Sequence, residues 1–481
     1  MIMNKLPFVL MTVALMSGGL VSAFAQNGII RADSLHTTSI ADMADTVSTA
    51  DVAASADVYI PSHKGPWTLQ DCIDYALEKN ITVKQQKNTV GMKSLTLNTA
   101  QNDRLPNLKA NASQNFSFGR GLSSENIYVN TNTSSTSFDL GSSVTLFDGF
   151  RKNRTIALDK LDLKAATADL EKASDDIRVS VAQAFVQILY DMEISEVGKR
   201  QVKIDSLQVE RLKILLATGK TSIVDVSQQE ATLGQSRLTA VQAENNLELA
   251  LLDLSQLLEL PSPEGFSIVK PVTGMEMGLL ENPDDIYAVA VSVRPSVIAE
   301  RYRLEGAGMN LKLAKSSLYP TLSLSGGLGS NYYKSSGYSA ASFRDQIKNN
   351  FSQYVSLSLN IPIFSKFAVR NNIRSAELSR MNQILQLENS KKSLYKEIQQ
   401  AYYGAVAAQS KYQSSMDARK SAEESFNLVN AKYENGKANI TEFNDAKNNY
   451  LKSESDYVRA RYEYLYQTKL LDFYKGPGLV F

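Results

Sequence analysis

The side chains best suited to metal binding or nucleophilic attack are scarce and scattered: two histidines, His36 and His63, and one cysteine, Cys72. Both histidines lie in a stretch, residues 26–66, that is rich in Ala, Asp, Ser and Thr and has little periodicity, so they read as solvated side chains. Cys72 sits in a helical pattern without a second cysteine to pair with, and reads as a packed thiol. There is no glycine-rich phosphate loop, no close Cys/His cluster and no serine nucleophile beside a plausible base. No catalytic centre, metal site or cofactor is expected. A formal charge of +1 also gives no electrostatic case for nucleic acid.

With chemistry set aside, the elements carry the information. Lys5, an apolar run from Leu6 to Met16, and Ala23-Phe24-Ala25 before Gln26 read as a secretory signal over residues 1–25. No Cys lies at that junction, so no lipid anchor is expected. Residues 26–66 read as a flexible periplasmic leader. Beyond the signal no stretch approaches the roughly 18 to 20 apolar residues of a membrane helix. A mature chain that spans a bilayer must do so with strands.

The chain then says the same thing twice. Leu146-Phe147-Asp148-Gly149-Phe150 leads to Gly219-Lys220, and Ile363-Phe364-Ser365-Lys366-Phe367 leads over the same interval to Gly436-Lys437. Fixed spacing over so long a span reads as an internal duplication. The units are repeat 1 over 67–264, a linker over 265–281, repeat 2 over 282–475 and a tail over 476–481. Each repeat is expected to run helix, strand hairpin, very long helix, tight turn, return helix.

Four segments alternate with period two. Leu108, Ala110, Ala112, Phe116 and Phe118 face one way and Asn107, Lys109, Asn111 and Ser113 the other; Phe138, Leu140, Val144 and Leu146 follow, then Leu322, Leu324 and Leu328, then Val355, Leu357 and Leu359. Each segment is about the 9 to 11 residues that a tilted strand needs to cross hydrocarbon. Ser/Asn/Thr-rich loops are expected over 119–137 and 330–350. Aromatics mark both ends: Phe116, Phe118, Phe138, Tyr332, Tyr333 and Phe351 toward the loops, and Phe147, Phe150, Tyr319, Phe364 and Phe367 toward the helices. Four strands are too few for a single-chain barrel, and an open edge in lipid costs several kcal/mol for each unpaired backbone group. The barrel must be shared between chains; two would give eight strands and a filled interior, three would give twelve and a lumen.

From Arg151 to Thr218, and again from about Ala368 to Asn435, there is no proline and apolar residues recur at helical spacing, which predicts two coiled-coil helices of roughly 100 Å. The return helices keep a seven-residue beat: Val226, Leu233, Ala240, Leu247 and Leu254, then Phe443, Tyr450, Tyr457, Tyr464 and Leu471. The tyrosine stripe reads as core rather than substrate contact. Shorter helices are expected from Thr68 to Gln101 and from Pro283 to Ser317, the second interrupted at Arg294-Pro295.

Strand hairpins with short aromatic motifs, two unbroken long helices, and an early helix reading Leu69-Gln70-Asp71-Cys72-Ile73-Asp74-Tyr75-Ala76-Leu77 together resemble the TolC-type outer membrane efflux family, over about Trp67 to Lys475. The resemblance implies a mainly α fold with a membrane β-barrel. Four strands per chain would contribute to a shared twelve-stranded barrel in a homotrimer, and long helical hairpins would form an α-barrel tunnel. It implies an exit duct in the bacterial outer membrane, its helical part in the periplasm, for a tripartite efflux pump or type I secretion system. The partners would be a periplasmic adaptor, an inner-membrane RND or ABC transporter and outer-membrane lipid, with no cofactor.

In that family acidic side chains ring the periplasmic end of the bore. By position from the turn glycine these fall on Glu442 and Asp445, with Asp225 at the equivalent place in the first copy. Three copies of each would favour cations; as first-turn residues they also suit the helix dipole without any function. A family arginine that helps hold the closed state aligns with Ala438, so any latch must use other groups. The exposed turns, with Gly219, Lys220, Thr221, Gly436, Lys437 and Asn439, are the expected adaptor contacts. The competing reading is a structural or adhesive coiled-coil protein anchored by a barrel and lacking an open lumen.

Overall fold

The computed structural model describes residues 65–122, 126–270, 278–336 and 339–476. The expected signal and all of the leader except Gly65 and Pro66 lie outside these, as do residues 271–277 of the linker and 477–481 of the tail.

Local sequence starts the first helix. Thr68 and Asp71 form a reciprocal capping box, in which each side chain accepts from the other's backbone N–H, and open α1 (Leu69–Lys79). Here the structure corrects the sequence reading: the helix does not run on to Gln101 but breaks at Asn80. The Asn80 side chain accepts from Thr82 N–H at 2.9 Å and donates to the Leu257 carbonyl at 3.1 Å, holding its own backbone extended before α2 (Ile81–Asn102). The break docks α1 on the core while α2 runs along a neighbouring helix.

Four antiparallel strands follow the order β1-β2-β3-β4: β1 (Asn107–Leu122), β2 (Tyr128–Phe147), β3 (Thr321–Ser335) and β4 (Ser352–Asn360). β1 and β2, at 16 and 20 residues, exceed the expected length and take in much of the stretch read as loop over 119–137. Polar residues stay in the ladder because β1 and β2 continue to pair along it, and because hydroxyls pair across it too, as in Ser113 with Ser137 at 2.7 Å and Thr131 with Ser335 at 2.7 Å. The second loop holds an unanticipated short helix, Phe343–Asn349, capped by Ser342.

Register aligns the alternating faces. Val144 is opposite Leu324 and Leu324 opposite Leu357, while Leu140 pairs with Leu328 and Ala110 with Leu140. One face of the sheet is therefore apolar, and the other carries Ser137, Ser323, Ser325, Ser356 and Ser358. β1 pairs along one edge with β2 and β4 along one edge with β3.

Each hairpin leads into a 67-residue helix: α3 (Arg151–Ala217) and, numbering past α4 (Ile223–Leu257), α5 (Pro283–Val293), α6 (Pro295–Ser316) and the short loop helix α7, α8 (Ala368–Glu434). The chain ends in α9 (Ile440–Lys475). The two junctions are built alike. Phe150 and Phe367 are left-handed N-caps, each edge-on to the aromatic residue three places earlier, Phe147 at 5.6 Å and Phe364 at 5.7 Å. Lys366 takes up φ +51 where the first junction has Gly149, so the second turn forms without glycine.

α3 packs on α2, α4, α6 and α9, and α8 packs on α6 and α9. The largest core joins α1 and the middle of α3 to the ends of α4 and α9 around Phe185, Ile188 and Leu254. Cys72 is fully buried in it and burial pushes the thiol up to about 12, in keeping with a packed group. Phe266 and Ile268, from the stretch read as linker, are also buried there, and Trp67 bridges to Ile268. A second core unites α5, α6, α8 and α9 around Ile286, Ile398 and Ala405. The aromatic stripe of α9 is packed against α8, with Tyr464 and Tyr412 stacked at 5.6 Å and Tyr450 on Phe426 at 5.6 Å. Among the described residues no helix is long and apolar enough to cross a membrane.

Candidate functional site

The expected site residues converge on the two turns that close the helical hairpins. At the end of α3, Gly219 N–H donates to the Leu216 carbonyl and Lys220 N–H to the Leu215 carbonyl, both at 2.9 Å. At the end of α8, Gly436 N–H donates to Tyr433 at 3.1 Å and Lys437 N–H to Lys432 at 2.8 Å. Both glycines have φ +70, the left-handed conformation that satisfies the last helical carbonyls. Lys220 and Lys437 project from the tips, exposed, beside the exposed Asn439 and half-buried Thr221.

The return helices begin with the same device. Ser222 and Asp225 form a capping box on α4, and Asn439 and Glu442 form one on α9. Asp225 Oδ2 also accepts from the Thr221 hydroxyl at 2.9 Å and the Ser222 hydroxyl at 2.7 Å. Bonds from the Ser222 hydroxyl, then its N–H, then the Thr221 hydroxyl hold the Asp225 carboxyl below the usual carboxylate range. Two of the three acids thus have a local structural role, whereas Asp445, and Gln228 at the equivalent place in the first copy, are exposed one turn further on.

A depressed folded value means that the ionised cap contributes fully at neutral pH and above the unfolded carboxylate range. The contribution is lost as pH falls through the lowered folded value. Backbone amides at the start of α4 are expected to exchange faster in acid, and Ser222→Ala is expected to cost about 1 kcal/mol at neutral pH. Hydrogen exchange at Asp225 and Val226 measures both; unchanged protection in the variant would exclude the cap.

Two contacts that the sequence reading did not identify tie the first hairpin to the second near the tips. The Arg211 guanidinium lies 5.0 Å from the Tyr433 ring centre and donates to the Glu434 carbonyl at 3.3 Å. Above it, Asp205 of α3 meets Lys447 of α9, both completely buried. The signal for the second was present, since Lys447, Glu454 and Arg461 alternate in sign at heptad spacing, but its partners are far away in sequence.

A sheet of four strands carrying long paired helices defines an outer-membrane channel subunit, and comparison with known proteins agrees. The family model described as "Outer membrane efflux protein" matches residues 72–259 and 286–476, and the chain belongs to that family. Among curated relatives, the outer membrane protein TolC of Escherichia coli K12 is 22% identical over 377 residues, covering 77% of this chain and 74% of TolC. Among solved structures, CusC superposes with a TM-score of 0.71 at 16% identity, covering 86% of this chain and 95% of CusC. The open-state MtrE channel of Neisseria gonorrhoeae gives 0.69 at 21% identity, covering 85% of this chain and 89% of MtrE. The chain is a TolC-type efflux duct of the outer membrane with a periplasmic helical part, and is not an enzyme.

Proposed function

We propose that three copies of the chain close a twelve-stranded barrel in the outer membrane and continue it as a helical tunnel into the periplasm, opened at its tips by an adaptor and an inner-membrane RND or ABC transporter. One observation carries the reading: a four-stranded sheet with one apolar face whose outer strands each pair along one edge. In hydrocarbon those open edges cost several kcal/mol per unpaired group, so β1 of one copy pairs with β4 of the next. The small serines and glycines of the polar face favour a lumen over the packed interior of an eight-stranded dimer. The helices also carry apolar side chains exposed in the single chain, Met92 and Leu95 on α2, Leu238 and Val241 on α4, and Leu378, Met381 and Leu385 on α8, which neighbouring copies would cover. The two halves, with 67-residue helices and equivalent turns, are read as duplicates. The signal delivers the chain across the inner membrane.

The proposed trimer is tested by cross-linking in native envelopes and by recording the purified protein in planar bilayers. Trimers with discrete conductance steps are expected. Recovery of single subunits alone would refute the assembly, and trimers without any step would favour the barrel-anchored adhesive protein.

Within this duct Glu442, Asp445 and Asp225 of three copies ring the periplasmic mouth, and the turns around Gly219, Lys220, Thr221, Gly436, Lys437 and Asn439 meet the adaptor. Glu442→Gln preserves the capping geometry while removing the charge. Combined with Asp445→Asn, it is expected to lower cation preference several-fold, read as a shift of reversal potential in a salt gradient. An unmoved potential would remove both acids from the bore.

A further inference from the structure

At its outer end the apolar face of the sheet changes character. Two places beyond Leu140 on β2 stands Phe138, and on β3 the same face runs from Leu328 through Ser330 and Tyr332 to an exposed lysine, Lys334. On β1 it runs through Phe116 and Phe118 to the exposed Arg120, whose guanidinium lies 6.0 Å from the ring centre of Tyr128 on β2. Strand alternation thus sets two cations just above the aromatic band, where hydrocarbon gives way to headgroups.

α7 adds two more. β4 stops pairing at Ser352 opposite Gly329, and beyond that point the helix meets β3 instead. Gln346 accepts from Tyr333 N–H at 2.9 Å and donates to the Tyr333 carbonyl at 3.0 Å, as the peptide groups of a further strand would, and Asn350 donates to the Asn331 carbonyl at 2.7 Å. Phe343 lies edge-on to Phe138 at 6.5 Å and against Tyr332 at 5.2 Å, so the helix leans on the apolar face. With residues 343, 346 and 350 turned to the sheet, helical spacing turns Arg344 and Lys348 away from it together, and both are exposed. Asp345, the single acid of α7, accepts from the Ser342 hydroxyl at 2.6 Å in the N-cap. Among the described residues none of the four cations has an ion-pair partner.

We propose that Arg120, Lys334, Arg344 and Lys348 form a basic collar on the outer rim of the sheet that binds the phosphate groups of an anionic lipid, whose acyl chains lie on the apolar face below. This rests on the reading of the sheet as inserted in the outer membrane. A lipid of this kind meets both halves of the surface at once, charge at the headgroup level and apolar area beneath it, whereas a water-soluble anion uses only the first. The planar guanidinium of Arg344 offers paired donors to phosphate oxygens, and the lysines reach the same level on long apolar stems.

The test is native mass spectrometry of the purified, delipidated protein titrated with phosphatidic acid or with phosphatidylcholine of the same chain length. Phosphatidic acid is expected to bind about ten-fold more tightly. Lys334→Gln/Arg344→Gln/Lys348→Gln is expected to lose that preference with phosphatidylcholine binding unchanged, while Lys334→Arg/Lys348→Arg keeps it. Lys109→Gln, on the opposite face of β1, is expected to keep it too. A triple variant that retains the preference, or a Lys109→Gln protein that loses it equally, would overturn the collar. Glycerol 3-phosphate held as tightly as phosphatidic acid would make this a site for free phosphate and overturn the lipid assignment. The same proteins are reconstituted into vesicles. A triple variant that inserts and conducts like wild type yet keeps its preference refutes the collar alone, whereas wild-type protein that fails to insert refutes the membrane sheet on which the collar rests.

Discussion

Gly149→Val is expected to abolish the stable joining of sheet to helix, and with it recovery of folded protein from the outer membrane. Gly149 has φ +67 at the turn between β2 and α3, and a β-carbon there would sit 2.7 Å from Tyr319 Cβ and 2.9 Å from the Ser316 carbonyl. Left-handed backbone costs a non-glycine residue about 1–2 kcal/mol. Forcing the end of α6 aside adds about 1–3 kcal/mol by overpacking. The sum is a large part of a typical folding free energy of about 5–15 kcal/mol, and it recurs in every copy of the assembly. Lys366 supplies the control. It occupies the equivalent place in the second junction with φ +51 and an exposed side chain, so Lys366→Val meets no such wall. Urea titration of both variants in detergent measures the difference; equal midpoints would show that the Tyr319 contact carries no weight.

The second large effect concerns the faces of the sheet. Leu357 lies on the apolar face of β4, opposite Leu324, which is in turn opposite Val144. It is 63% exposed in the single chain, with lipid as its expected solvent. Leu357→Arg is expected to destabilise each chain by about 2–4 kcal/mol if the position lies at the bilayer midplane. Ser358→Arg, one residue along and on the polar face, is expected to cost less than about 1 kcal/mol, because the guanidinium stays in water. Unfolding in lipid vesicles separates the two. A larger loss for Ser358→Arg would mean that the polar face, not the apolar one, meets the hydrocarbon.

These results depend on different layers of information. The long helices were legible because their signals are local: no proline between Arg151 and Ala217 or between Ala368 and Glu434, apolar residues at helical spacing, and glycines at their ends. Arg294-Pro295 likewise announced the break between α5 and α6, since proline bars the residue before it from helical backbone. The break at Asn80 was not legible. It depends on the Leu257 carbonyl, which lies far off in sequence, to hold an asparagine that would otherwise be an ordinary helical residue. The reach of β1 and β2 was underestimated for a similar reason, because polar alternation alone does not reveal that a partner strand continues beside it.

For the candidate site, the sequence by itself determined the two glycine turns, their lysines and the first-turn acids, because turn and cap chemistry is set within five or six residues. Tertiary structure alone decided that Asp205 faces Lys447, and that Val144, Leu324 and Leu357 form one row. Such pairings are fixed by the register of antiparallel segments. Heptad and period-two patterns define which face is buried, but they repeat along each element, and the partner is selected when distant helices and strands dock and their charges and small residues admit one alignment.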